Sequence, residues 1–372
     1  MEELHRDERE VLREGLSAAA HPPESASPGV PPARMTRYSR QIRFPPLGET
    51  GQRALAAAHV AIVGIGALGT HLANGLVRAG VGRLTLIDRD IVELHNLQRQ
   101  VLFDEADARD ATPKAIAAAM HLARVDSQCN LIPIVEEFTA ATFEGLRPRP
   151  DLLLDGTDNF ATRYLINDLA MAHGIPWIYG AALASEGMAM AIVPGVTPCL
   201  RCLIPGAGGG GDATCETAGI LQPTIAAVTA FQTTQALKIL AGHTDALARG
   251  LFVVDVWRDQ YAMQFAGARR AEDCPCCARA EYPALAADAA PAVTLCGRDA
   301  VQVRPPAGAT VALDALAARL ADAVVVTRTP HLLRFEVDGC RFSVFPGGRA
   351  LIFGVADAGR GLALYDRWVG GR

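Results

Sequence analysis

The feature that most constrains this chain is the hexapeptide GIGALG, Gly64 to Gly69, set between the apolar run HVAIV and the amphipathic stretch ALGTHLANGLVRAG, after which a second apolar run, RLTLID, begins. Strand, glycine turn, helix and strand in that order make a βαβ unit. Gly64, Gly66 and Gly69 leave backbone free to approach a phosphate aimed at the helix N-terminus, and Asp88, ending the second strand, is placed to accept from a ribose hydroxyl. These features alone suit a nicotinamide-dependent dehydrogenase as well as an ATP user, because the fold does not fix the chemistry.

Strands and helices keep alternating downstream. A helix is predicted from Pro113 to Val125, a strand from Leu131 to Val135, and a buried strand in DLLLDGTDN, which together predict a doubly wound, mostly parallel, Rossmann-like α/β sheet. The strand AMAIVPG then leads through a glycine-rich loop to a long apolar helix from Pro223 to Ala241. Residues 1–35, ending in HPPESASPGVPPAR, cannot supply a packed face and are expected to be a disordered leader. The ordered catalytic domain is expected over 36–285, and a small α+β domain over 293–372 with strands AVVVTRT, LLRFEVDG and RALIFGV between two helical stretches.

With 372 residues, 50% of them hydrophobic, the chain can build one large core and an appended domain. Its 35 Lys+Arg against 40 Asp+Glu give a net charge of -5, which argues against a broad nucleic-acid surface. The charged N-terminus lacks a signal-peptide core and no run is long enough to span a bilayer, so a soluble cytoplasmic protein is expected. In that compartment the nine cysteines read as metal ligands or reactive thiols rather than as disulfides.

The residues after the second strand favour phosphate chemistry. DRDIVELHNLQRQ, 88–100, sets Asp88, Asp90, Asn96 and Arg99 beyond a strand's carboxyl end, where ligands of open α/β sheets collect. Arg99 can neutralise phosphate oxygens, Asn96 can hold one by hydrogen bonding, and Lys114 adds a point charge at a helix start. Asp158, closing the strand in DGTDN, is a candidate Mg²⁺ carboxylate. Cys199 and Cys202 form one C-x-x-C, and Cys274 with Cys277 another; four thiolates suit a tetrahedral, structural Zn²⁺. Cys215 lies between the glycine loop and a helix, where it is either an activated thiol or an inert one.

In RYSRQI at 37–42, GIGALG, DRDIVELHNLQRQ, PKA at 113–115 and DGTDNFATRYLIN at 155–167, the sequence resembles the ubiquitin-activating-like adenylyltransferases of ThiF/MoeB/HesA type. The resemblance runs from Arg37 to Cys277. It implies MgATP-dependent adenylation of the C-terminal glycine of a ubiquitin-like sulfur-carrier protein in a thiamine, molybdenum-cofactor or tRNA-thiolation pathway. It further implies Asp88 on the ribose, Asn96, Arg99 and Lys114 on the triphosphate, Asp158 on Mg²⁺, and a homodimer in which Arg40 reaches the other subunit's ATP. A cysteine at the place of Cys215 can form a covalent link to the carrier in this family. No rhodanese-type loop is found in 293–372, so a separate sulfur donor, a cysteine desulfurase or a rhodanese, is expected. The rival readings are a dehydratase of the same family acting on a modified tRNA adenosine, an NAD-dependent oxidoreductase, for which no hydride-site His or Lys is found near the switch point, and a scaffold that only docks partners, in which a full set of phosphate ligands has little purpose.

Overall fold

A computed structural model of the chain describes residues 36–205, 218–265, 270–287, 292–294, 300–303, 310–321 and 323–370. Two compact units divide near residue 286. The first begins with α1 (Ser39–Ile42) and α2 (Gly48–Ala57), then β1 (His59–Val63), α3 (Ala67–Ala79) and β2 (Arg83–Ile87). It continues with α4 (Glu105–Asp110), α5 (Lys114–Val125), β3 (Asn130–Ile134), α6 (Ala140–Gly145), β4 (Leu152–Asp155), α7 (Phe160–His173), β5 (Trp177–Leu183) and β6 (Glu186–Ile192). It closes with α8 (Leu200–Leu203), α9 (Gln222–Leu240), β7 (Leu251–Asp255), β8 (Gln260–Gln264) and α10 (Pro283–Ala287).

These strands form one sheet in the order β3-β2-β1-β4-β5-β6-β7-β8. The first five are parallel and the last three antiparallel. All five residues of β1 and all four of β4 are buried, as a strand covered on both faces requires. The alternation along β1 shows the two faces directly: Val60 and Ile62 enter one core with Leu68, Leu72, Leu76 and Val228, while Ala61 and Val63 enter the other with Phe143, Leu165, Ile166 and Leu169. Each fully buried Leu of α3 contributes roughly 1.5–3 kcal/mol of apolar burial. That stripe is what clamps the helix to the sheet.

The chain leaves β1 toward β2 and β3 on one side and returns to place β4 on the other. A crevice therefore opens at the carboxyl ends of β1 and β4, where loops run in opposite directions.

The second unit carries β9 (Ala292–Thr294), β10 (Ala300–Val303), α11 (Leu313–Leu320), β11 (Val326–Arg328), β12 (Leu333–Val337), β13 (Cys340–Val344), β14 (Ala350–Phe353) and α12 (Ala358–Trp368). Its antiparallel sheet, ordered β11-β12-β13-β14-β10-β9, packs Val301, Phe335, Phe342 and Ile352 against Leu316, Leu320 and Tyr365 of the two helices. Strand β11 is shorter than AVVVTRT suggests, because Val325 is exposed and only Val326–Arg328 pair with β12.

Candidate functional site

The glycine turn is built by backbone crowding. Gly64 has φ +86, and a Cβ there would sit 2.7 Å from the carbonyl oxygen of Gly156. A Cβ on Gly69 would come within 1.9 Å of the Gly64 carbonyl oxygen. Only glycine lets β1, α3 and the loop after β4 meet this closely. At the N-cap position of α3, Gly66 leaves the helix start without a side-chain cap, so its first amides face the crevice.

Asp88, just beyond β2, accepts from the Ile65 amide at 2.7 Å through one oxygen and from the Asp90 amide at 2.7 Å through the other. It ties the glycine turn to the loop that follows. Burial pushes its carboxyl up, Lys114 pulls it down, and the Asp90 charge raises it again. Lys114, 5% exposed at the start of α5, places Nζ 3.3 Å from an Asp90 oxygen, and its amide donates to the Asp90 carbonyl. Gly64, Gly66, Gly69, Asp88, Asp90 and Lys114 are thus one cluster at the switch point.

The other candidates stand differently. Asn96 is buried and its Oδ1 accepts from the Glu93 amide in a capping box around residues 94–96, so it shapes the loop it was expected only to arm. Arg99 is partly exposed and donates to the His95 carbonyl at 3.0 Å. Strand β4 ends at Asp155, not at Asp158 as the sequence suggested: Asp158 is an exposed residue of the loop before α7, and Asn159, not Asp158, caps that helix through Thr162. Arg40 is exposed on α1, while its motif neighbours are structural. The Tyr38 hydroxyl donates to Asp126, and Gln41 donates to Gln52 and to the Ala79 carbonyl. Cys215 lies outside the described residues.

Two side chains that sequence reasoning passed over hold the Asp158 loop. Arg163 donates from Nε to Asp155 Oδ2 at 3.2 Å and from Nη2 to the Thr157 and Gly180 carbonyls at 2.7 and 3.2 Å. Asp155 also accepts from the amide and hydroxyl of Thr157 and from the Gly180 amide. The one available signal was the spacing in DGTDNFATR, which sets an arginine in the first turn of the helix that follows a strand-end carboxylate.

The Sγ atoms of Cys199, Cys202, Cys274 and Cys277 all lie within 4.8 Å of one another. Separations of 3.9, 3.6 and 3.3 Å for the pairs 199–202, 199–274 and 202–277 bracket the edge of about 3.8 Å that four sulfurs 2.3 Å from a zinc ion would have. The donor set fits Zn²⁺. Both knuckles hang on α7: Asn167 accepts from the Leu200 amide and donates to Cys276 Sγ, Asp168 takes a two-point ion pair from Arg201 and the Ala284 amide, and Tyr164 donates to the Ile204 carbonyl. Cys276 is thereby kept out of the four. A second grouping, Asp104, Asp107 and His121, is accounted for by the capping of α4 and an Asp107–His121 contact at 2.7 Å.

Among the described residues no helix is long and apolar enough to cross a membrane. The β7–β8 hairpin and the residue after it expose three aromatic side chains, Trp257, Tyr261 and Phe265.

A family model described as the ThiF family matches residues 38–276. The chain is 40% identical to the sulfur carrier protein ThiS adenylyltransferase of Bacillus subtilis (strain 168) over 336 residues, covering 90% of this chain and 99% of the relative. It is 35% identical over 242 residues to the Escherichia coli (strain K12) protein of the same description, covering 65% of this chain and 94% of that one. Among solved structures, Escherichia coli MccB with ATP matches with a TM-score of 0.55 at 22% identity, over 67% of this chain and 76% of that one; this likeness concerns the fold.

Proposed function

The chain belongs to the ThiF family, and from that premise we propose that it uses MgATP to adenylate the C-terminal glycine of a ubiquitin-like sulfur-carrier protein. The observation that carries the reading is the convergence at one switch point of an uncapped helix start, a glycine turn pressed against the 156–157 backbone, and the Asp88–Asp90–Lys114 cluster.

The carrier's terminal carboxylate attacks the α-phosphorus of ATP; the bond to the bridging oxygen breaks and pyrophosphate leaves, giving an acyl-adenylate. A carboxylate is already a nucleophile, so no general base is needed. What the protein supplies is placement and positive potential where charge develops. Asp88 holds the ribose; the backbone amides at the uncapped start of α3, with Asn96, Arg99 and Lys114, hold the phosphates, while the Gly64 amide is engaged by the Ile87 carbonyl; Asp158 is assigned to Mg²⁺, which would neutralise phosphate charge. Asp90 sets the position of Lys114 Nζ. Arg40 is assigned to the other subunit's nucleotide in a homodimer.

Zn²⁺ on Cys199, Cys202, Cys274 and Cys277 is structural, since four sulfurs leave no open position. A persulfide on a separate donor then attacks the acyl carbon and AMP leaves, giving an acyl disulfide; a thiol attacks the donor's sulfur in that disulfide, forming a new disulfide and releasing the thiocarboxylate, with Cys215 the candidate thiol for a covalent link to the carrier. The exposed Trp257, Tyr261 and Phe265 offer the carrier's body an apolar surface beyond what its tail touches. Residues 36–285 form the catalytic domain in this reading and 293–372 an accessory one, acting in the cytoplasm.

The test is ATP–pyrophosphate exchange with purified sulfur carriers. Exchange is expected from the wild type and is lost with Asp158→Ala or with a carrier lacking its terminal glycine. Absence of exchange with every carrier, from folded zinc-replete protein, would refute the reading and favour the tRNA-dehydratase alternative.

A further inference from the structure

Gln100 closes the DRDIVELHNLQRQ segment, and nothing above gives it a role. Its side chain is 4% exposed, and its Oε1 has no hydrogen-bond partner. The other end of the amide, Nε2, lies 3.7 Å from the point a Cβ on Gly66 would occupy, and apart from the neighbours of Gly66 along the chain no other heavy atom comes within 4 Å of that point. The amide therefore borders open space at the start of the 13-residue helix α3, which no side chain caps.

Leaving a buried amide unpaired is costly, and native structures avoid it unless a ligand or water supplies the partner; a phosphoryl oxygen can pair only the N–H end beside Gly66, and Oε1, an acceptor, is left to water. The helix start beside it favours an anion. Resting on the nucleotide reading above, we propose that Gln100 is a nucleotide-contacting residue whose amide N–H donates to a phosphoryl oxygen seated on the α3 N-terminus. Nε2 is the end that already faces Gly66, so the donor is presented to the helix start without turning the amide. A neutral donor adds a directional contact where Lys114 and Arg99 already supply charge, and so orients the phosphate without raising the repulsion among cations. In the nucleotide-free protein the same amide is a destabilising feature that an apolar side chain of similar size would remove.

These two consequences have opposite signs, which separates a ligand contact from a merely structural amide. Isothermal titration with ATP, ADP, AMP and adenosine, and thermal melting without nucleotide, are compared for wild type, Gln100→Met and Gln100→Glu. Gln100→Met is expected to melt above the wild type yet bind ATP about tenfold more weakly, the value of one lost hydrogen bond to a charged group. Adenosine affinity stays unchanged, and the shortest phosphate chain that shows the loss identifies the phosphoryl group contacted. Gln100→Glu, of the same shape but with an acceptor in place of the donor, binds ATP more weakly still, and it carries the test alone if Gln100→Met does not fold. Unchanged ATP affinity in either folded variant, or a lower melting temperature with intact binding in Gln100→Met, overturns the role of Gln100. A wild type that binds no ATP overturns the nucleotide reading itself.

Discussion

Replacing Arg163 with Met should be among the most damaging single changes in the first unit, although Arg163 is assigned no contact with substrate. Asp155 is 0% exposed, Arg163 is 6% exposed, and the pair is 3.2 Å apart. At an effective dielectric of about 20, charges at that separation attract by about 5 kcal/mol. The substitution also strips the Thr157 and Gly180 carbonyls of their donor and leaves Asp155 charged with only Thr157 and Gly180 to hold it. Breaking one side of such a pair costs about 3–5 kcal/mol. That is a large part of the roughly 5–15 kcal/mol that keeps a domain folded.

The pH dependence has a definite sign. Burial already pushes the Asp155 carboxyl up, against the pull of Arg163, Thr157 and Gly180. Removing Arg163 lets it rise further above its unfolded value. The folded variant then binds more protons than the unfolded chain, so stability falls as pH rises from the unfolded value through the folded one. Urea unfolding at pH 7.5 and 5.5 should show the larger loss at pH 7.5. Asp155→Asn combined with Arg163→Met should recover most of the stability, since no buried charge is left unpaired. A loss below about 1 kcal/mol at neutral pH, or an equal loss at both, would refute the reasoning.

Two further perturbations test the neighbourhood. Gly69→Ala forces a methyl to within 1.9 Å of the Gly64 carbonyl and should lower both the melting temperature and ATP affinity, whereas Gly66→Ala points its methyl into open space and should reduce ATP affinity with little change in melting; titration and melting of the two side by side check this. Elemental analysis should find one zinc per chain, lost in Cys199→Ser, and stripping it should destabilise the first unit on the order of 10 kcal/mol, seen as a large drop in its urea midpoint.

The doubly wound sheet was legible because its signals are local. Apolar runs, the glycine turn at 64–69 and the two C-x-x-C spacings each declare themselves within a few residues, and the helix predicted over Pro113–Val125 differs from Lys114–Val125 by one position. What escaped depends on contacts between distant residues. Asn167 and Asp168 look like ordinary polar positions of a helix until Leu200, Arg201, Cys276 and Ala284 arrive beside them from 33 to 116 residues away. The sequence reading puts Asp158 at the strand end because two aspartates stand three residues apart in DGTD, and only burial tells the structural carboxylate, Asp155, from the exposed one. Tyr38 and Gln41 were legible as part of a motif but not as the pins of α1.

One helix carries more than its length suggests. At about 21 Å, α7 starts beside the loop bearing Asp158, is bolted to the sheet by Arg163 in its first turn, and grips both cysteine knuckles from its middle turns. The four cysteine sulfurs and the Asp158 loop lie at separate stations along one strut. A tilt of that strut shifts the carboxylate at one station and the sulfurs at the other together, so losing zinc should be felt at the Asp158 end of the strut as well as in the stability of the fold.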